Sequence, residues 1–114
     1  MEFVLLIYHD ERAWNSLSEK SRNDIYKEYR ALVESISKGG KYKAGGELES
    51  ISTAVTVRVR NGQPETTTGP FEPTREQLAG FFLIEANDLN EAIAYAAQIP
   101  SARDGSIEVR PVRS

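Results

Sequence analysis

Few residues in this 114-residue chain are suited to chemistry, and most of them lie near its start. His9 is the only histidine and sits between Tyr8 and the carboxylates Asp10 and Glu11. Histidine is the side chain whose ordinary charge change falls closest to neutral pH, and a carboxylate can orient its ring. His9 with Asp10 is therefore the candidate acid–base pair. Consecutive strand residues point to opposite faces, so the two can pair only where the chain has begun to turn. The plainer reading is a solvated loop histidine, and it is favoured because nothing else in the sequence converges on His9. One histidine among neighbouring carboxylates lacks further ligands at a recognisable spacing, so no metal is expected.

A second suspect is the stretch TTTGPFEPTREQLAGFF, Thr66 to Phe82. Gly69 permits a positive φ, Pro70 fixes the next step and Phe71 is a hydrophobic anchor. Thr74 and Gln77 fit a capping box for a short helical turn. Arg75 and Glu76 then project outward and could reach a cleft, although a surface ion pair would account for them equally well. Trp14, the only tryptophan, either walls a pocket or caps the core. Tyr8, Trp14, Phe71 and Arg75 are the candidate ligand-binding residues. Arg58 and Arg60 share a strand face and, with Arg110, could hold an anion, but a solvated sheet edge is the commoner use of such residues. No nucleophile elbow, P-loop, dinucleotide fingerprint or zinc motif is present, so no cofactor is expected.

Composition narrows the classes further. Hydrophobic residues make up 39% and charged residues 27%, ordinary values for a globular protein, and the length predicts one domain over residues 1–114. A net charge of −3 argues against a nucleic-acid surface, which needs concentrated Lys and Arg. There is no cysteine, which removes disulfides and thiolate chemistry. MEFVLLIYHDE has no basic residue before its apolar run and no small-residue cleavage site. It reads as a strand rather than a signal peptide or membrane span, and a cytoplasmic location is expected.

The elements that must position these residues follow from periodicity. Phe3–Tyr8 reads as a strand. Ser18 to Lys38 reads as a helix, with Ser18 as N-cap, Ile25, Tyr29, Leu32 and Ile36 on one face, and Gly39-Gly40 as the stop. YKAGGEL reads as a strand broken by glycines. TAVTVRVR sets Val55, Val57 and Val59 against a wet face of Thr56, Arg58 and Arg60, and Asn61-Gly62 turns it into a hairpin of type I′. Ala79–Ala86 is a further strand. NDLNEAIAYAAQI is a second helix, with Asp88 and Glu91 as capping box and Leu89, Ile93 and Ala96 as its buried stripe. SIEVRPV is the last strand.

This order is the split β-α-β pattern of a ferredoxin-like βαββαβ domain with an inserted hairpin, with the first strand and Ala79–Ala86 central. Both helices of such a domain cover one sheet face, and the other should alternate with polar residues. It does not: Phe3, Leu5 and Ile7 oppose Val4, Leu6 and Tyr8, and Phe81 and Leu83 oppose Phe82 and Ile84. An open face of this kind points to a homodimer packed sheet to sheet. The alternative, the hairpin folding over that face, covers too little of it.

Taken together, FVLLIYHDE, AGGEL, VTVRVRNG, TGPFEPTREQLAGFFLIEANDLNEA and GSIEVRPV resemble the YCII-related family, in its branch named for a DGPF motif. The resemblance spans nearly the whole chain. It implies a dimeric α+β barrel of ferredoxin-like protomers and, in some relatives, an association with sigma factors or a His–Asp acid–base site. Two departures stand out. Thr68 occupies the aspartate position of DGPF, with Glu72-Pro73-Thr74-Arg75 following, and Arg12-Ala13-Trp14 stands where related proteins carry a histidine. Two functions are therefore expected in competition. One is a homodimer binding a small, anionic or aromatic molecule in a cleft near its interface, with acid–base chemistry through His9 and Asp10. The other is a non-catalytic interaction module serving a transcription-regulatory partner.

Overall fold

A computed structural model describes residues 1–114. Strand β1 (Glu2–His9) leads through helices α1 (Glu11–Ser16) and α2 (Glu19–Lys38) to strand β2 (Tyr42–Glu47). A 3₁₀ turn (Ile51–Thr53) precedes the hairpin of β3 (Val55–Arg60) and β4 (Gln63–Thr68). Strand β5 (Gln77–Glu85), helix α3 (Leu89–Ala96), a second 3₁₀ turn (Pro100–Arg103) and strand β6 (Ser106–Pro111) follow. The main sheet is antiparallel in the order β2-β5-β1-β6, an α+β arrangement compatible with a ferredoxin-like fold. As expected, β1 and β5 are its central strands.

Alternation along these two strands decides where the core lies. Phe3 faces Ile84 and Leu5 faces Phe82 across the β1–β5 ladder, and all four are buried. They pack with Leu32 and Ile36 of α2, Ala92 and Ala96 of α3, and Ile99 in one apolar cluster. Burying such side chains contributes about 1.5–3 kcal/mol each, and this cluster is what holds the helices to the sheet. Val4, Leu6, Tyr8, Phe81 and Leu83 point to the other face, where they are only half-buried.

The ends of α2 form as the sequence predicts. The Ser18 hydroxyl accepts from the Ser21 amide at 3.1 Å, and Gly40, at φ 72°, lets the Lys41 amide return to the Ile36 carbonyl. Asn61 and Gly62 have φ of 53° and 74°, the two positive values that a type I′ turn requires.

Four details differ from expectation. Glu11–Ser16 is a short helix where a loop is expected, because the Asp10 carboxylate accepts from the Arg12 amide at 2.9 Å and caps it. No helical turn forms at Thr74–Gln77, since the Gln77 side-chain amide donates to the Thr74 and Arg75 carbonyls and β5 begins there. In α3 the Asp88 cap holds, but Leu89 and Ile93 are 51% and 48% exposed. Of the expected stripe only Ala96 is buried, and this helix of about two turns seats Ala92 beside it against the sheet. Finally, the hairpin forms its own two-stranded sheet, and the valine row expected to be its dry side is about 60% exposed.

Candidate functional site

Between α2 and the β2–β5 half of the sheet lies a cleft of about 750 Å³. Two strand positions on its wall are glycines, because neighbouring ring and backbone atoms leave no room there for a side chain. A Cβ on Gly45 would lie 2.3 Å from the Tyr42 hydroxyl and 2.9 Å from the Phe81 carbonyl oxygen, and one on Gly80 would lie 2.7 Å from the Gly46 carbonyl oxygen. The rings of His9, Trp14, Tyr26, Tyr29, Tyr42 and Phe82 line the space around them.

Those rings form two groups. Toward the sheet, Phe82 is met edge-on by Tyr29 and Tyr42, with centroids at 6.2 and 5.5 Å. Toward the mouth, His9 stacks on Trp14 at 5.5 Å, and Trp14 meets the ring of Tyr26 edge-on at 5.5 Å. Such offset and edge contacts are the geometries aromatic pairs prefer. Trp14 reaches the mouth because α1 carries it there, and α1 begins where Asp10 caps it.

The polar groups of the cleft are anchored. The Tyr29 hydroxyl is 2.7 Å from the Ser101 hydroxyl, and burial raises the Tyr29 pKa against the opposing effect of that hydrogen bond. The Tyr26 hydroxyl donates to Glu47 Oε1 at 3.1 Å; burial, then the nearby Glu47 carboxylate, raises its pKa as well. Glu11 acts as a strut. Its amide donates to Gln77 Oε1 at 2.9 Å, and its carboxylate accepts from the Ile51 amide at 3.1 Å and from the Ser50 hydroxyl. The short helix α1, the start of β5 and the loop after β2 are thereby tied around one mouth.

Of the residues singled out from the sequence, His9 and Trp14 line this cleft together, and both also line a smaller recess of about 130 Å³ that touches Asp10. The Asp10 carboxylate serves α1 as its cap. Tyr8 projects from the opposite sheet face, in register with Leu78. Phe71 is 73% exposed beyond β4, and Arg75 is exposed before β5; neither borders the cleft. Arg58 and Arg60 belong to the hairpin and Arg110 to the main sheet, where its guanidinium lies 3.6 Å from Glu108. The cleft also gathers Tyr26, Tyr42, Phe82, Glu47 and Gln77, none of which the sequence marked as a site residue. Their only signal was the Gly45-Gly46 pair beside a tyrosine strand, facing a helix with tyrosines at positions 26 and 29.

Two comparisons bear on this arrangement. A family model described as the YCII-related domain matches residues 1–114. The uncharacterised protein R00369 of Rhizobium meliloti (strain 1021) is 32% identical over 114 residues, covering 98% of this chain and 92% of that protein. A match over the full span by the family model, with a relative of this identity aligned from end to end, places the chain: it belongs to the YCII-related family.

Proposed function

We propose that this chain is a small-molecule-binding homodimer of the α+β-barrel type, with one ligand site per protomer in the cleft between α2 and the sheet. The observation that carries the ligand reading is the cleft itself. Its size falls in the range of small-molecule sites, its walls are aromatic, and a few polar groups are fixed in place by hydrogen bonds. His9 is the chain's only histidine and lines the cleft, so we assign any acid–base step to it, with Trp14 as its platform. Asp10 contributes by capping the helix that carries Trp14.

Dimerisation is supported by shape. The protomer measures 47 × 41 × 19 Å, with a radius of gyration of 15.9 Å against about 13 Å for a compact chain of this length. Its accessible surface of 7942 Å² exceeds by about 1700 Å² the roughly 6200 Å² of a compact 12.7 kDa monomer. A standard interface buries about 800 Å² per partner, so an excess of this size, to which the exposed hairpin contributes, leaves room for one.

Amide and indole chemical shifts during a fragment screen test the ligand reading. Shifts gathered on Trp14, Tyr26, Gly45 and Gly80 are expected. Shifts confined to the hairpin or to the open sheet face would overturn it.

A further inference from the structure

Charge distinguishes this cleft from a generic apolar one. We propose that it takes an organic cation, an amine or quaternary ammonium on an apolar body, in preference to an anion. This rests on the reading of the cleft as a small-molecule site.

The cleft is lined by the carboxylates of Glu34, Glu47 and Glu49 against the single guanidinium of Arg30; Glu34 is paired with Lys38 at 3.5 Å, which leaves Glu47 and Glu49 to set the charge. A fourth, Glu11, is already committed to Ser50 and Ile51. Glu47 is held in place from within the cleft. The Tyr26 hydroxyl engages its Oε1, which leaves Oε2 able to accept from a ligand. The same negative field is felt by the rings: Glu47 and Glu49 both push the Tyr26 pKa upward, Arg22 opposes them, and Glu47 acts in the same sense on Tyr29 deeper in.

The rings add a second, independent preference. The rings of Trp14, Tyr26, Tyr29 and Tyr42 line the same space, and the faces of such rings carry negative charge density that attracts ammonium groups and repels carboxylates. An anionic ligand would have Arg30 alone to pair with, against the carboxylates of Glu47 and Glu49. A cation meets a fixed carboxylate at the mouth and ring faces beyond it, which is the recognition chemistry of quaternary ammonium sites in general.

Three probes sharing one skeleton separate the possibilities: 4-phenylbutylamine, 4-phenylbutanol and 4-phenylbutyrate, titrated at neutral pH against the Trp14 indole N–H signal. The amine is expected to bind about tenfold tighter than the alcohol, and the butyrate weakest. Raising salt should narrow the gap between amine and alcohol. Glu47→Gln should weaken the amine severalfold and leave the alcohol unchanged. Glu47 is solvent-exposed, so this variant keeps the fold, and Glu49→Gln provides a second reading of the same field. Equal binding of amine and alcohol, or tightest binding of the butyrate, would sink the cation preference while leaving the cleft a ligand site. If none of the three moves the Trp14 signal at millimolar concentration, both readings fall.

Discussion

The two faces of the main sheet are built from the same two central strands, yet they have different fates. On one face Phe3, Leu5, Phe82 and Ile84 are sealed under α2 and α3. On the other, Val4, Leu6, Phe81 and Leu83 are hardly less apolar but have no layer above them within the chain. Hydropathy does not decide which face is covered. Right-handed crossovers put both helices on one side whatever the other side carries. An apolar residue on the helix face is therefore a statement about the fold, whereas one on the open face is what the proposed dimer would cover.

Variants on the two faces should consequently fail in different ways. Phe82→Ala removes the ring shared by Tyr29 and Tyr42 from a nearly closed site, and should lower unfolding free energy by about 3–5 kcal/mol in a denaturant titration. A loss under about 1 kcal/mol would mean that the aromatic floor is not part of the core. Leu83→Glu, its neighbour on the open face, should leave the protomer folded. It should weaken self-association on the order of a hundredfold by analytical ultracentrifugation, since an unpaired charge would be buried between sheets. A wild-type monomer at micromolar concentration would break the comparison outright.

Smaller effects sharpen the cleft side. The Tyr26 phenol has its pKa raised above 10.0 by burial and by Glu47, so its contribution to stability is present below 10.0 and is lost as pH climbs through the raised value. Glu47→Gln should bring the phenolate absorbance transition of Tyr26 back toward 10.0. An unmoved transition would show that the pair does not form in solution. The smallest effect concerns the ion pair of Arg103 with Glu28, whose contacts are 3.1 and 2.6 Å on an exposed surface. Its hydrogen bond from Arg103 lowers the Glu28 pKa below 4.5. The stabilisation is thus complete above 4.5 and disappears as pH falls through the lowered value. Glu28→Gln should flatten that part of the melting temperature profile, and an unchanged acid limb would remove this pair from the account.

What could be read in the sequence was whatever depends on local repetition. The α2 stripe, the Asn61-Gly62 turn and the doubly apolar β1 and β5 are each written in a few adjacent residues. What escaped depends on absence or on competition. The cleft is walled by rings from five separate elements, and hydrophobic patterning has no symbol for the space between them. At Thr74–Gln77 the capping-box residues are present, but the Gln77 amide satisfies backbone carbonyls of an extended segment instead. Leu89 and Ile93 keep a helical period, yet α3 meets the sheet on its alanine side, where a small residue permits closer approach. A six-residue helix such as α1 is too short to show a period at all, and only its cap at Asp10 could have announced it.

The placement of β1 also has a consequence for how the molecule forms. Its ladder partners are remote: Leu5 pairs with Phe82 on one side and with Val109 on the other. Helix α2 and the β3–β4 hairpin can form from local contacts, but β1, the most apolar strand, has no partner until β5 is available. Loop closure on that scale makes folding slow relative to helical domains of the same size, and a strand apolar on both faces is adhesive while it waits. Fresh chains of this protein are therefore most prone to aggregate through residues 3–8, before the second half of the sequence arrives to shield them.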